Sequence, residues 1–185
     1  MMNIPQTVKV LDTLRKNCNI GKHQHFHASG RMNMLHLWFG VPSVLISVVL
    51  GSTFFVLISK EIPIEAKWGG AFAALASAMF GAIQTFFNFQ KVSESHQTVA
   101  NQYLSIERIC EQLLAAYCDD MIDLKVFSER LSELNVRYEN VNKAAEGLRT
   151  NGCDYEHALH RFQDLKTAEE KECVLLFSPT KKKTL

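Results

Sequence analysis

Hydrophobic and charged positions are segregated along this chain. No Asp, Glu, Lys or Arg occurs between Met32 and Ser59, nor between Trp68 and Gln90. The first stretch holds LHLWFGVPSVLISVVLGSTFFVLI, Leu35 to Ile58. A hydrocarbon core of about 30 Å needs about 20 apolar residues in helix, so this run predicts a membrane span. Each Leu, Ile, Val and Phe favours insertion by about 0.3–0.6 kcal/mol at depth, which outweighs the Ser and Gly interruptions. Pro42 is expected close to the start of the span, where a missing N–H costs little. The second stretch, Trp68 to Phe89, is richer in Ala and Gly and carries Gln84 and Asn88. The competing reading is a buried helix of a soluble core. Its charge-free length and the need for a return across the bilayer favour a second span. Ser59 to Lys67 between them, SKEIPIEAK, predicts a tight turn around Pro63.

Past Val92 the pattern becomes a heptad stripe. His96, Val99, Tyr103, Ile106, Cys110, Leu113 and Tyr117 follow in alternating steps of four and three, a helix seam with polar and aromatic members. With neither Pro nor Gly in the way, the second span is expected to continue into this helix unbroken. Asp119, Asp120 and Asp123 mark a turn and the next helix start, since acidic groups favour helix N-termini. Phe127, Leu131, Leu134, Tyr138, Val141 and Ala145 repeat the spacing, which predicts an antiparallel partner. A last amphipathic segment covers residues 155–176, ahead of a basic tail expected to be disordered. Upstream, Val8, Leu11, Leu14 and Cys18 outline a short amphipathic helix. The fold class is therefore an all-α membrane protein, a two-helix hairpin with a coiled-coil-like cytosolic domain. Residues 1–34 form N-terminal amphipathic helices, 35–89 the hairpin (spans 35–58 and 68–89), 90–176 the cytosolic helical domain and 177–185 the tail.

An even number of spans puts both termini on one side. Lys16, Lys22, Arg31 and Lys91 near the membrane outnumber Lys60 and Lys67 in the loop, which places the termini in the cytoplasm of an inner, plasma-membrane protein. Within the spans, small residues mark close helix approach. Ser43, Ser47 and Gly51 keep a four-residue rhythm in the first, and Ser77, Gly81, Gln84 and Asn88 share a stripe in the second. One reading has these residues pack the hairpin on itself. The other has them line a path in a homo-oligomer, because two amides on one face ask for a partner helix or water.

Composition and motifs narrow the chemistry. A net charge of +1 gives no drive toward nucleic acid. The five cysteines form no CxxC pair and suit reduced thiols. His23, His25 and His27 look like a metal site, but only His23 and His27 share a helical face and no acidic or thiol ligand is near them in sequence; His157 and His160, three apart with Asp154 and Glu156 nearby, are weighed the same way, and no metal site is assigned. No phosphate loop, nucleophile elbow or paired-carboxylate spacing appears, and Glu107 and Glu111 are expected on a solvated helix face. No catalytic residue, cofactor or enzymatic activity is expected.

Several segments together resemble a known family: Lys22-His23 ahead of LWFGVPSVLISVVLGSTFF, then GAIQTFFNFQ, SESHQTVANQYLSIER and LSELNVRYENVNKAA. The arrangement is similar to the SLATT domain, the two-transmembrane effector module associated with prokaryotic nucleotide-signalling and conflict systems. The likeness extends over about residues 8–165, with Gly40–Ser43 and the His96, Asn101, Tyr103 set as its clearest marks. It implies a pore-forming effector of antiviral defence that oligomerises and permeabilises the inner membrane. The trigger would come from a separate sensor or signalling protein of the same locus. A membrane-anchored helical scaffold without conductance is the alternative.

Overall fold

A computed structural model describes residues 6–57 and 63–177, with side chains to residue 53 and again from 63 to 168. Five helices account for nearly all of it: α1 (Gln6–Leu57), α2 (Ile64–Phe87), α3 (Phe89–Cys118), α4 (Leu124–Ala145) and α5 (Gly152–Phe177). No strand occurs among the described residues. The expected disorder of residues 178–185 and the first half of the expected turn lie outside the described residues. The chain divides into two compact units, residues 1–28 with 96–185, and residues 29–95.

In the second unit α1 and α2 pack as an antiparallel hairpin, His36 opposite Gln84 and Ser43 opposite Ser77. Both helices are long and apolar enough to cross a membrane. None of the most apolar window of the first is buried, and only 6 % of that of the second. A soluble core helix would bury such a face, so the soluble reading of the second stretch fails. Trp38 and Phe86 project from one end of the hairpin and Trp68 from the other, each well exposed. This is the placement of interfacial aromatic belts. About 20 residues of helix separate the ends, a rise of about 30 Å.

Three local expectations are corrected here. The turn is shorter than SKEIPIEAK, because α2 begins at Ile64. Pro63 caps it, and Glu65 sits in the first turn, where the helix dipole favours an acid. Pro42 lies deep inside α1, since the helix starts at Gln6 rather than near the span. It removes the N–H that would have bonded the Trp38 carbonyl. The helix after the second span is not unbroken either. Asn88 adopts φ 44° and ψ 48°, the left-handed region, and ends α2 with its N–H on the Gln84 carbonyl before α3 starts at Phe89. Asn tolerates this conformation better than any other side-chain-bearing residue except Asp, so the break needs neither Gly nor Pro.

The first unit builds its core from three helices. Leu11, Leu14 and Cys18 of α1, Val99, Tyr103, Ile106, Cys110 and Leu113 of α3, and Phe127, Leu131, Leu134 and Val141 of α4 are all buried in one cluster. Tyr117 meets Phe127 and Tyr103 meets Tyr138, so α3 and α4 run antiparallel. Asp123 caps α4 by accepting from the Val126 N–H at 2.9 Å. Asn151 and Asp154 cap α5 reciprocally, each side chain on the other's N–H. Residues 6–28 of α1 are thus an integral part of this helical unit. α3 carries two buried faces, one toward α4 and one toward α1.

Replacing Asn88 with Val should lower the thermal midpoint of the detergent-solubilised chain, at a cost of about 1–2 kcal/mol for a β-branched residue held left-handed. Asn88→Gly should leave the midpoint within a fraction of that. Circular dichroism melts of both variants give the comparison, and equal midpoints for the two would show that the break carries no strain.

Candidate functional site

The hairpin's polar side chains are turned toward each other. Ser43 Oγ donates to the Ser77 carbonyl at 3.2 Å, Ser77 Oγ to the Ser43 carbonyl at 3.0 Å, and Ser47 Oγ lies 2.9 Å from Ser77 Oγ. Each hydroxyl has one hydrogen. With Ser43 and Ser77 donating to carbonyls, Ser47 has two acceptors in reach, the Ser43 carbonyl at 2.8 Å and Ser77 Oγ, and none of the three hydroxyl hydrogens is left facing lipid. Gly81 packs beside this cluster, where an added Cβ would lie 3.9 Å from Ser43 Oγ. Gly51 meets nothing within 4 Å and marks no close approach among the described residues. At the membrane-interface end, Ser29 and Ser93 pair at 3.0 Å, and Ser93 also donates to the Ser29 carbonyl at 2.9 Å.

Gln84 lies between these two levels. Its Nε2 is 2.9 Å from His36 Nδ1 and 3.4 Å from the His36 carbonyl oxygen. Gly40 makes room for it, since a Cβ there would come within 2.7 Å of Nε2. His36, Gln84 and Gly40 line an open groove of about 330 Å³ together with Leu37, Val41, Val44 and Leu45. Of the residues singled out from the sequence, Ser43, Ser47, Ser77, Gly81 and Gln84 therefore meet within one hairpin, while Asn88 acts through its backbone. His36 was overlooked, although the sequence signalled it. It is the one ionisable side chain inside the first uncharged stretch, and such groups are functional candidates by default.

In the first unit every seam residue named from the sequence is buried or packed against the core: His96, Val99, Tyr103, Ile106, Leu113, Phe127, Leu131, Leu134 and Tyr138. Polar members of the seam have specific partners. Tyr103 donates to Asn142 Oδ1 at 2.7 Å, and its ring crosses Gly21, where a Cβ would stand 3.2 Å away. His25 Nδ1 and His96 Nδ1 are 2.9 Å apart, both rings buried. One nitrogen must donate and the other accept, so a single proton lies between them. Burial, with His96 adding to it, pushes His25 down from 6.5 to about 4. Burial also lowers His23, helped by Lys22.

The carboxylates are a further correction. Glu107 is buried rather than solvated, paired with Lys22 Nζ at 2.5 Å and accepting from Asn19. Glu111 stays exposed, 3.6 Å from Arg15. The heptad count followed the apolar stripe of α3, whose His96 and Tyr103 also reach His25 and Gly21 of α1, and Glu107 lies beside that stripe toward α1. The two histidine groups, distant in sequence, also converge. His27 Nδ1 bonds the wholly buried Asp154 at 2.7 Å and stacks on His157 with ring centres 4.3 Å apart. No group of three or more metal-type ligands is assembled among the described residues. Cys18 and Cys110 are buried thiols, pushed up to about 12 and about 11 by burial, which makes thiolate chemistry unfavourable there.

Residues 18–173 match the family model for the SMODS and SLOG-associating 2TM effector domain, family 4, one of the SLATT families. No curated protein matches the chain, and no solved structure does.

The histidine pair makes stability depend on pH. A histidine whose folded pKa lies below its unfolded value contributes stability that is complete above the unfolded value, near 6.5, and is withdrawn as pH falls toward about 4. Chemical denaturation of the full chain should show the first unit weakening across that window. His25→Leu should flatten the slope. An unchanged slope in the variant would remove His25 as the cause.

Proposed function

Because the chain belongs to the SMODS and SLOG-associating 2TM effector domain family, we propose that it is a pore-forming membrane effector. On this reading it oligomerises and permeabilises the inner membrane once a separate anti-phage or stress-signalling partner engages its helical unit, with both termini in the cytoplasm. The observation that carries the reading is the combination of two uncovered apolar helices with a seam of polar side chains between them. A hairpin that served only to anchor has no need of Ser43, Ser47, Ser77 and Gln84 at depth, where polar groups cost free energy unless paired. In an assembled pore these groups would exchange their mutual hydrogen bonds for water. The first unit, with its polar-specified seams, suits the part that receives the trigger. Its buried ion pair and histidine pair fit a packing specification better than an active site, because none of them opens on a substrate pocket with a nucleophile.

The competing reading is a membrane-anchored scaffold whose helices dock a partner. A membrane-potential dye in cells overproducing the chain separates the two. The pore reading expects depolarisation, reduced severalfold in a Ser47→Leu, Ser77→Leu double variant that still inserts. Cells that keep full potential at wild-type expression, with the protein verified in the membrane fraction, would instead favour the scaffold.

A further inference from the structure

Gln84 holds its amide nitrogen toward two acceptors at once, His36 Nδ1 at 2.9 Å and the His36 carbonyl at 3.4 Å. That contact fixes the state of the imidazole. Nδ1 accepts, so it carries a lone pair, and the proton is on Nε2. A protonated ring has hydrogens on both nitrogens and no longer accepts from Gln84. Turning the amide over would aim its oxygen at the His36 carbonyl, replacing an attraction with a repulsion. Gly40, which has no Cβ, lets the carboxamide seat against α1 in this orientation. A charge at the start of the apolar span also draws water toward it.

We infer that the His36–Gln84 pair is a proton-sensitive latch, closed on a neutral imidazole and released when His36 is protonated. The latch rests on the hairpin geometry, and its consequence for conductance rests on the pore reading above. Its surroundings are simple. From α2 it is faced by Gln84, and neither uncharged stretch contributes a carboxylate or ammonium. The nearest charged residues along the chain are Arg31 on α1 and Lys91 and Glu94 on α3, and Glu94 accepts from Gln90. Release would free Gln84 and loosen the contact at Gly40, ahead of the serine cluster deeper in the hairpin.

Hydrogen–deuterium exchange of the full chain in lipid nanodiscs tests the latch directly. Between about pH 7.5 and about pH 5.5, protection of peptides covering residues 33–43 and 78–87 should fall about tenfold after correction for intrinsic exchange. His36→Phe and His36→Gln should each abolish that pH dependence, whatever their absolute protection. Wild-type peptides equally protected at both pH values, or a fall that persists in both variants, overturns the latch. Dye release from phosphatidylcholine–phosphatidylglycerol vesicles is read in parallel. Release that follows the loss of protection supports latch and pore together. Loss of protection without release upholds the latch and overturns the conducting role.

Discussion

Apolar side chains that no part of a protein covers persist only where hydrocarbon surrounds them, and the rest of this molecule is arranged around that demand. The most apolar windows of α1 and α2 are essentially unburied. Lipid offers no hydrogen bonds, so each polar group at that depth needs a partner from the protein, at several kcal/mol if it has none. Ser43, Ser47 and Ser77 meet this requirement by exchanging hydrogen bonds with each other and with backbone carbonyls. Gln84 meets it through His36. Small residues serve the same end: Gly40 and Gly81 let the helices come close enough for these bonds to form.

The first unit obeys a different solvent. In water its cohesion comes from Leu11, Leu14, Phe127, Leu131 and the rest of the apolar cluster, and the polar groups among them act on register. A slip of α1 along α3 would part Lys22 from Glu107 and His25 from His96 together, leaving three buried polar groups and the half-buried Lys22 unmatched. Apolar contacts alone tolerate such slips far better. The buried ion pair need not add net stability to have this effect, because its removal one partner at a time is what costs most.

How much of this was legible follows from the range of each signal. The spans were readable because absence of charge over about 20 residues is a local property that few other structures produce. The α3–α4 pair was readable because both helices show the same four-three spacing and are joined by an Asp-rich turn. The burial of Glu107 was not readable, since no local pattern says that residues 6–28 will pack on α3. The same long-range packing brings His27 to Asp154 and His157. Asn88 escaped because a single left-handed residue leaves the hydrophobic pattern on both sides intact. The stripe of Ser77 and Gln84 was visible as polar, but whether it faces a neighbouring copy or the other half of its own hairpin depends on helix rotation, which composition does not encode.

An effector of this kind must also be silent before it acts, and the closed hairpin gives that silence a scale. On the proposed reading, a conducting state has to surrender the Gln84–His36 bond and the bonds among the three serines to water or to neighbouring copies. Each is worth about 1 kcal/mol net, so the closed state is favoured by about 3–4 kcal/mol before assembly contacts are counted. That corresponds to an open fraction on the order of one in several hundred or fewer. A trigger able to reverse it needs a differential affinity for the open state of about the same size and some excess. One partner's docking energy suffices for this, and so does docking assisted by the loss of the neutral imidazole that Gln84 requires. On the pore reading, that preference disfavours conduction at rest and stays small enough for a single binding event to overcome.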